Sequence, residues 1–167
     1  SQSFTALGSG GPNLNVENYL ANFGNRACRI IAPPGVIRFR NSALIEDSGL
    51  PDAQGLDARE HSIEELPVEV LPFLMNSRYC EVDLLSNTAS ELFGSAPKGY
   101  QRVQAVCSWV HSIVTFGYHF ANPIRTAMGV YTERVGVCRD FQHTRLTFWR
   151  GVNLPARVSH GLPQAMV

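Results

Sequence analysis

The stretch Gly136-Val137-Cys138-Arg139-Asp140-Phe141-Gln142-His143 decides how this chain is read. Gly136 permits a tight backbone turn, and the apolar spacing of Phe141, Leu146, Phe148 and Trp149 predicts a helix from Cys138 to Trp149. Cys138 then falls in the first helical turn. There the unpaired backbone N–H groups and the positive helix end favour a thiolate, the nucleophilic form of cysteine, and the same N–H groups suit an oxyanion. Asp140 matches that positive end, and Arg139 balances its charge. His143 lies five residues beyond Cys138 on the same helix and points about 140° around the axis from it. That direction assigns it a structural hydrogen-bonding role.

Outward from this segment, Val103, Val106, Cys107, Val110 and Val114 recur at three- and four-residue intervals and predict the strongest helix, from Gly99 to Ile113. Cys107 is thereby a small core residue. A strand-like Val114 to Tyr118 follows, then a short helix around Thr126 to Thr132. Tyr118 reads as a buried structural tyrosine, with an oxyanion donor as the alternative if its strand passes the thiol. Upstream, short helical segments are expected at Val68 to Met75 and at Asp83 to Phe93. The second sets Leu84, Leu85, Ala89, Leu92 and Phe93 near one face and stops at Gly94 and Pro97.

Glu46 to His61 lacks apolar periodicity and reads as a linker, which divides the chain into an N-terminal β portion with its linker, 1–60, and a second part, 61–167. Within the first part, Cys28 to Ile31 and Val36 to Phe39, on either side of Pro33-Pro34-Gly35, predict a hairpin. Ser1 to Pro12 reads as a flexible lead.

Composition sets further bounds. The 44% apolar content supports a core, and the 17% charged content lies below the roughly 25% of an average domain. Lys plus Arg and Asp plus Glu stand equal at 14 each, which points to neither nucleic acid nor an anionic membrane as partner. No run approaches the ~18 to 20 apolar residues of a membrane span, and no export signal opens the chain, so the cytoplasm is the default location. Cys28, Cys80, Cys107 and Cys138 stand far apart and read as free thiols in a reducing compartment. His111 and His119 have no ligand-like companions, so neither a metal nor a cofactor is expected.

An isolated cysteine is more simply a small buried residue, but the wider pattern reverses that reading. Phe23-Gly24-Asn25 with Cys28, Ile45-Glu46-Asp47-Ser48-Gly49, Ser77-Arg78-Tyr79-Cys80-Glu81, Phe116-Gly117-Tyr118, Gly136 to Phe141 with His143, and Pro155-Ala156-Arg157 resemble the transglutaminase-like family of papain-type cysteine enzymes. The resemblance is particularly to the family's bacterial cysteine-peptidase branch. It implies an α+β fold, with an N-terminal β hairpin or partial sheet and then a mainly helical papain-like core.

The resemblance places Cys138 as the nucleophile. A thiolate attacks a carboxamide or peptide carbonyl, and water or an amine resolves the thioester. The implied partner is a protein or peptide substrate. The family carries its catalytic His and Asp on strands after Pro-Ala-Arg, and the sequence given ends at Val167 before both. An incomplete enzyme is therefore expected, lacking most of the C-terminal sheet. His160 sits on the Pro-Ala-Arg strand itself and reads as a substitution before a turn at Gly161.

The motif helix also departs from the family. Gln142, Thr144, Arg145 and Thr147 occupy places that usually carry Ala or aliphatic residues. Either that face meets water or these side chains have partners. The departures admit an alternative, a non-catalytic binding or scaffold module that retains the fold. Unpaired strand edges would further favour self-association.

Overall fold

The computed structural model describes residues 2–7, 14–43, 49–50 and 54–158, in two compact units, 1–52 and 53–167. The first unit is built from paired strands. Strand β1 (Gln2–Leu7) runs antiparallel to β4 (Arg38–Ala43), with Gln2 opposite Ala43 and Leu7 opposite Arg38. Strand β2 (Val16–Leu20) runs antiparallel to β3 (Arg26–Ile30), with Val16 opposite Ile30. A 3-10 turn over Asn22–Gly24 joins them, closed by the Ala21 N–H on the Asn25 carbonyl at 2.8 Å. Across this pair Arg29 Nε donates to Glu17 at 3.0 Å.

Two expectations are corrected here. Cys28–Ile31 and Val36–Phe39 do not form a hairpin with each other, because β3 pairs back to β2 and β4 pairs with β1. Tandem Pro33-Pro34 explains this, since two residues without N–H groups cannot supply the closing bonds of a two-residue turn. The lead is not structureless either, since residues 2–7 form β1.

The second unit packs four helices around the last of them. They are α1 (Val82–Phe93), α2 (Tyr100–Ile113), α3 (Ala127–Glu133) and α4 (Cys138–Gly151). The α1 face that enters the core is Val82, Leu85, Ala89 and Phe93. Leu84 is 55% exposed and Leu92 39%, so neither belongs to the expected face. On α2 the core residues are Val106 and Val110, with Val114 just beyond, while Cys107 is half-buried. The expected helix at 68–75 is a 3-10 helix, Val68–Leu74, because Pro72 removes an α-helical donor inside it.

Helix α4 reaches the centre because its neighbours yield space. A Cβ on Gly151 would lie 2.7 Å from the Ala89 Cβ, so α1 and α4 meet where both side chains are minimal. Phe148 is fully buried and meets Phe93, Trp109 and Tyr131 edge-on, at ring-centroid distances of 5.4, 5.2 and 6.2 Å. Edge-to-face geometry sets the positive ring edge against a negative face.

The two buried threonines of α4 are satisfied within the helix. Thr144 Oγ1 donates to the Asp140 carbonyl at 2.8 Å, and Thr147 Oγ1 to the His143 carbonyl at 2.7 Å, so both buried hydroxyls are satisfied one turn back. Gln142 is exposed, and the half-buried Arg145 lays its guanidinium over the Phe141 ring at 6.0 Å.

A buried ion pair ties residues 58–60 to the bundle. Arg102 pairs with Glu60 at 2.8 Å and donates to the carbonyls of Gly94 and Ala96 at 3.2 and 3.1 Å. Gly99, with φ +86°, enters α2 so close to Ala58 that a Cβ there would overlap the Ala58 carbonyl oxygen. No helix among the described residues is long and apolar enough to cross a membrane.

Candidate active site

Two short parallel strands deliver the motif. Strand β5 (Thr115–Phe116) runs beside β6 (Val135–Gly136), with Thr115 opposite Val135 and Phe116 opposite Gly136. The Thr115 N–H donates to the Arg134 carbonyl at 2.8 Å and the Gly117 N–H to the Gly136 carbonyl at 3.1 Å. From β6 the chain passes through extended Val137 into α4, whose first residue is Cys138.

The turn is locked from below by a fully buried carboxylate. Asp140 Oδ2 accepts the Val137 N–H at 2.9 Å, and its two oxygens meet Arg139 Nη2 at 3.1 Å and Arg125 Nη1 at 3.5 Å. Arg125 is itself buried and also grips Glu133 at 2.8 Å. Gly136 follows from this packing. A Cβ there would stand 2.7 Å from the Asp140 Cβ and 3.0 Å from Oδ2, so the residue is glycine to admit the carboxylate. Asp140 and Arg139 thus take the roles expected of them. Arg125 went unread, because its nearest charged partners lie eight and fifteen residues further along the chain.

The Ser77-Arg78-Tyr79-Cys80-Glu81 segment converges on the same place. Ser77 and Cys80 exchange backbone hydrogen bonds at 3.1 and 3.0 Å, forming a tight turn. The Tyr79 carbonyl and Glu81 Oε2 then accept the first two N–H groups of α3, from Ala127 and Met128, both at 2.9 Å. Tyr79 stacks on His143, with centroids 5.1 Å apart and rings 4° from parallel, and Arg139 lies over the Tyr79 ring at 5.5 Å.

His143 is corrected by this arrangement. Its buried Nδ1 has no hydrogen-bond partner among the described residues, and ring stacking holds it instead. Burial, followed by the charge of Arg139, pushes its pKa below the usual histidine value of 6.5, against the opposing pull of Asp140. A depressed folded-state pKa means that the unfolded chain binds the proton first. Stability is therefore complete above about 6.5 and falls as pH drops from there through the folded-state pKa. Urea midpoints at pH 7.5 and 5.0 test this. The drop is expected to shrink in His143→Phe, and an equal drop in both proteins rules the assignment out.

The four cysteines are unpaired and differ in access. Cys138 and Cys28 are exposed, Cys80 is buried with its Sγ 3.6 Å from the His143 carbonyl, and burial pushes the Cys107 thiol up. Cys28 Sγ donates to Asn18 at 3.1 Å, whereas Cys138 Sγ makes no hydrogen bond to any described residue. Tyr118 is 77% exposed, which overturns its reading as a buried tyrosine. His119 packs on Phe120, and His160 lies outside the described residues. Among the described residues no cluster of three or more His, Cys, Asp or Glu side chains forms a metal site.

At the far end of α4, Arg150 donates to the carbonyls of Ala156 and Met75, each at 2.9 Å, and the Ala156 N–H reaches the Phe73 carbonyl at 3.2 Å. Pro155-Ala156-Arg157 is thus latched to α4 and to residues 73–75. It pairs with no strand among the described residues.

An α+β unit with an exposed cysteine opening its central helix defines the class. Residues 86–166 match the transglutaminase-like superfamily. The crystal structure of a "putative cysteine protease" from Cytophaga hutchinsonii is similar at 26% identity and a TM-score of 0.72, over 93% of this chain and 53% of that one. This chain spans about half the length of that protein. No curated protein matches. The likeness to the transglutaminase-like superfamily thus falls on residues 86–166, which include Cys138 and all of α4.

Proposed function

We propose that this chain carries the nucleophile of a transglutaminase-like cysteine enzyme that acts on a protein or peptide amide, by hydrolysis or acyl transfer. The observation that carries the reading is the position of Cys138. It is exposed and opens α4 on a turn held by the buried Asp140. The thiolate forms a bond to the amide carbonyl carbon while first-turn N–H groups face the charge that grows on oxygen. The C–N bond then breaks, the amine leaves with a proton, and a thioester remains for water or a second amine to resolve. In this reading the histidine that moves the proton and the carboxylate that orients it lie beyond Arg157, where the family resemblance puts them. Four free thiols suit a reducing compartment.

Alkylation tests the assignment directly. With iodoacetamide at neutral pH and each cysteine mapped by mass spectrometry, Cys138 is expected to label first, about tenfold or more ahead of the exposed Cys28. Equal labelling of Cys138 and Cys28 supports the alternative instead, a binding or scaffold module that keeps the fold without the chemistry.

A further inference from the structure

Two demands conflict at the start of α4. The lock needs a carboxylate there, and Asp140 turns its own back to the N–H of Val137, the residue just before Cys138. A nucleophilic Cys138 needs negative charge on sulfur at the same helix end, and a buried negative charge so near opposes a second one. The helix end carries roughly half a unit of positive charge, so it offsets only part of that opposition.

Arg125 stands where the rest can be offset. Its side chain is 8% exposed, and its Nη1 lies 3.5 Å from Asp140 Oδ2. Two more anchors fix the guanidinium. Nη1 donates to the Phe120 carbonyl, and Nε and Nη2 donate to Glu133 Oε2 at 3.1 and 2.8 Å. Arg139 and Glu133 also flank the pair, but they are 36% and 52% exposed, so water screens both, and their charges are opposite in sign. Among the other titratable groups nearby, Glu81 is engaged by the Met128 N–H, His119 packs on Phe120, and His143 is held neutral by burial and by Arg139. Asp140 and Arg125 are thus the buried couple beneath the thiol, one charge of each sign.

We propose that Arg125 is a positioning residue for the nucleophile. Acting through Asp140, it cancels the carboxylate's field at the α4 start, so one acidic side chain can hold the turn without suppressing the Cys138 thiolate. This rests on Cys138 being the nucleophile. It adds the group that makes an acidic support compatible with that role, contributed by the segment ahead of α3.

The test is the pH–rate profile for alkylation of Cys138 by iodoacetamide, read on the Cys138 peptide by mass spectrometry. In Arg125→Met the profile is expected to move up by about one pH unit or more, the scale of a unit charge close to a titrating group. The rate on the rising limb then falls about tenfold, while the limiting rate at high pH stays within about threefold. Arg125→Lys restores the charge and is expected to return the profile most of the way. Asp140→Asn keeps an acceptor for the Val137 N–H but removes the negative charge, and is expected to move the profile about as far in the opposite direction. That variant decides the question if Arg125→Met does not fold. Arg102→Met breaks the pair with Glu60 at the end of α2 remote from β5, and is expected to lower stability without moving the profile. An unmoved profile in Asp140→Asn, a folded Arg125→Met that merely loses rate at every pH, shifts of the same sign in these two variants, or an equal shift in Arg102→Met overturns the role of Arg125 and leaves the nucleophile standing. Labelling of Cys138 no faster than Cys28 in the unaltered protein overturns both.

Discussion

Asp140→Ala is expected to cost about 3–5 kcal/mol of folding stability, a large fraction of the 5–15 kcal/mol typical of a domain. The carboxylate is fully buried, accepts from the Val137 N–H and Arg139, and faces the charge of the buried Arg125 at 3.5 Å. Removing it takes the one buried carboxylate from the buried Arg125, which keeps the half-exposed Glu133 at 2.8 Å and the Phe120 carbonyl, and leaves the Val137 N–H without its acceptor. Breaking a buried pair from one side costs far more than the intact pair contributes, because the surviving charge stays desolvated. Chemical denaturation of the two proteins measures the difference. A loss below about 1 kcal/mol, the level of an exposed ion pair, would show that water reaches the site.

Phe148→Ala is expected to cost a similar amount, about 3–5 kcal/mol, for an unrelated reason. The ring is the hub of the aromatic cluster, in contact with side chains from α1, α2 and α3, and no part of it touches solvent. Truncation forfeits the transfer energy of the ring and leaves a cavity walled by three rigid aromatic groups that cannot collapse into it. Thermal or urea unfolding reads the effect. Leu84→Ala, at a 55% exposed leucine on the outer face of α1, is expected to stay within about 0.5 kcal/mol. Comparable losses in the two variants would contradict the packing described.

Elements defined by local spacing could be read from the chain, and elements defined by distant partners could not. Helices α1, α2 and α4 follow from residues three and four apart, and all four helices stand within a few residues of their expected bounds. Strand pairing is set by segments far apart in sequence, which is why β1 was read as a lead and β3 and β4 as one hairpin. The two-residue strand β6 is too short to show any alternation at all.

The same division runs through the candidate site. Cys138 and its neighbours Arg139 and Asp140 were legible because a helix start explains them locally. Arg125 and Arg102 were not, since a buried arginine looks like a surface arginine until its carboxylate is known, and for Arg102 that is Glu60, 42 residues away. Tyr79 carried no signal for its stacking on His143, a contact between segments 64 residues apart. The polar residues of α4 misled for a related reason. A threonine that closes its hydroxyl on the preceding turn can be fully buried, though its composition suggests a wet face.

One feature of the α4 start bears on how such a protein can change. Gly136 and Asp140 fit each other like a notch and its key, and Cys138 stands between them without bonding to either side of the lock. The glycine and the aspartate must drift as a couple, since a methyl group at 136 leaves no room for the carboxylate at 140. Position 138 carries no such obligation. Its reactive atom can be exchanged for a hydroxyl or a selenol, or silenced altogether, and the surrounding framework will not register the loss.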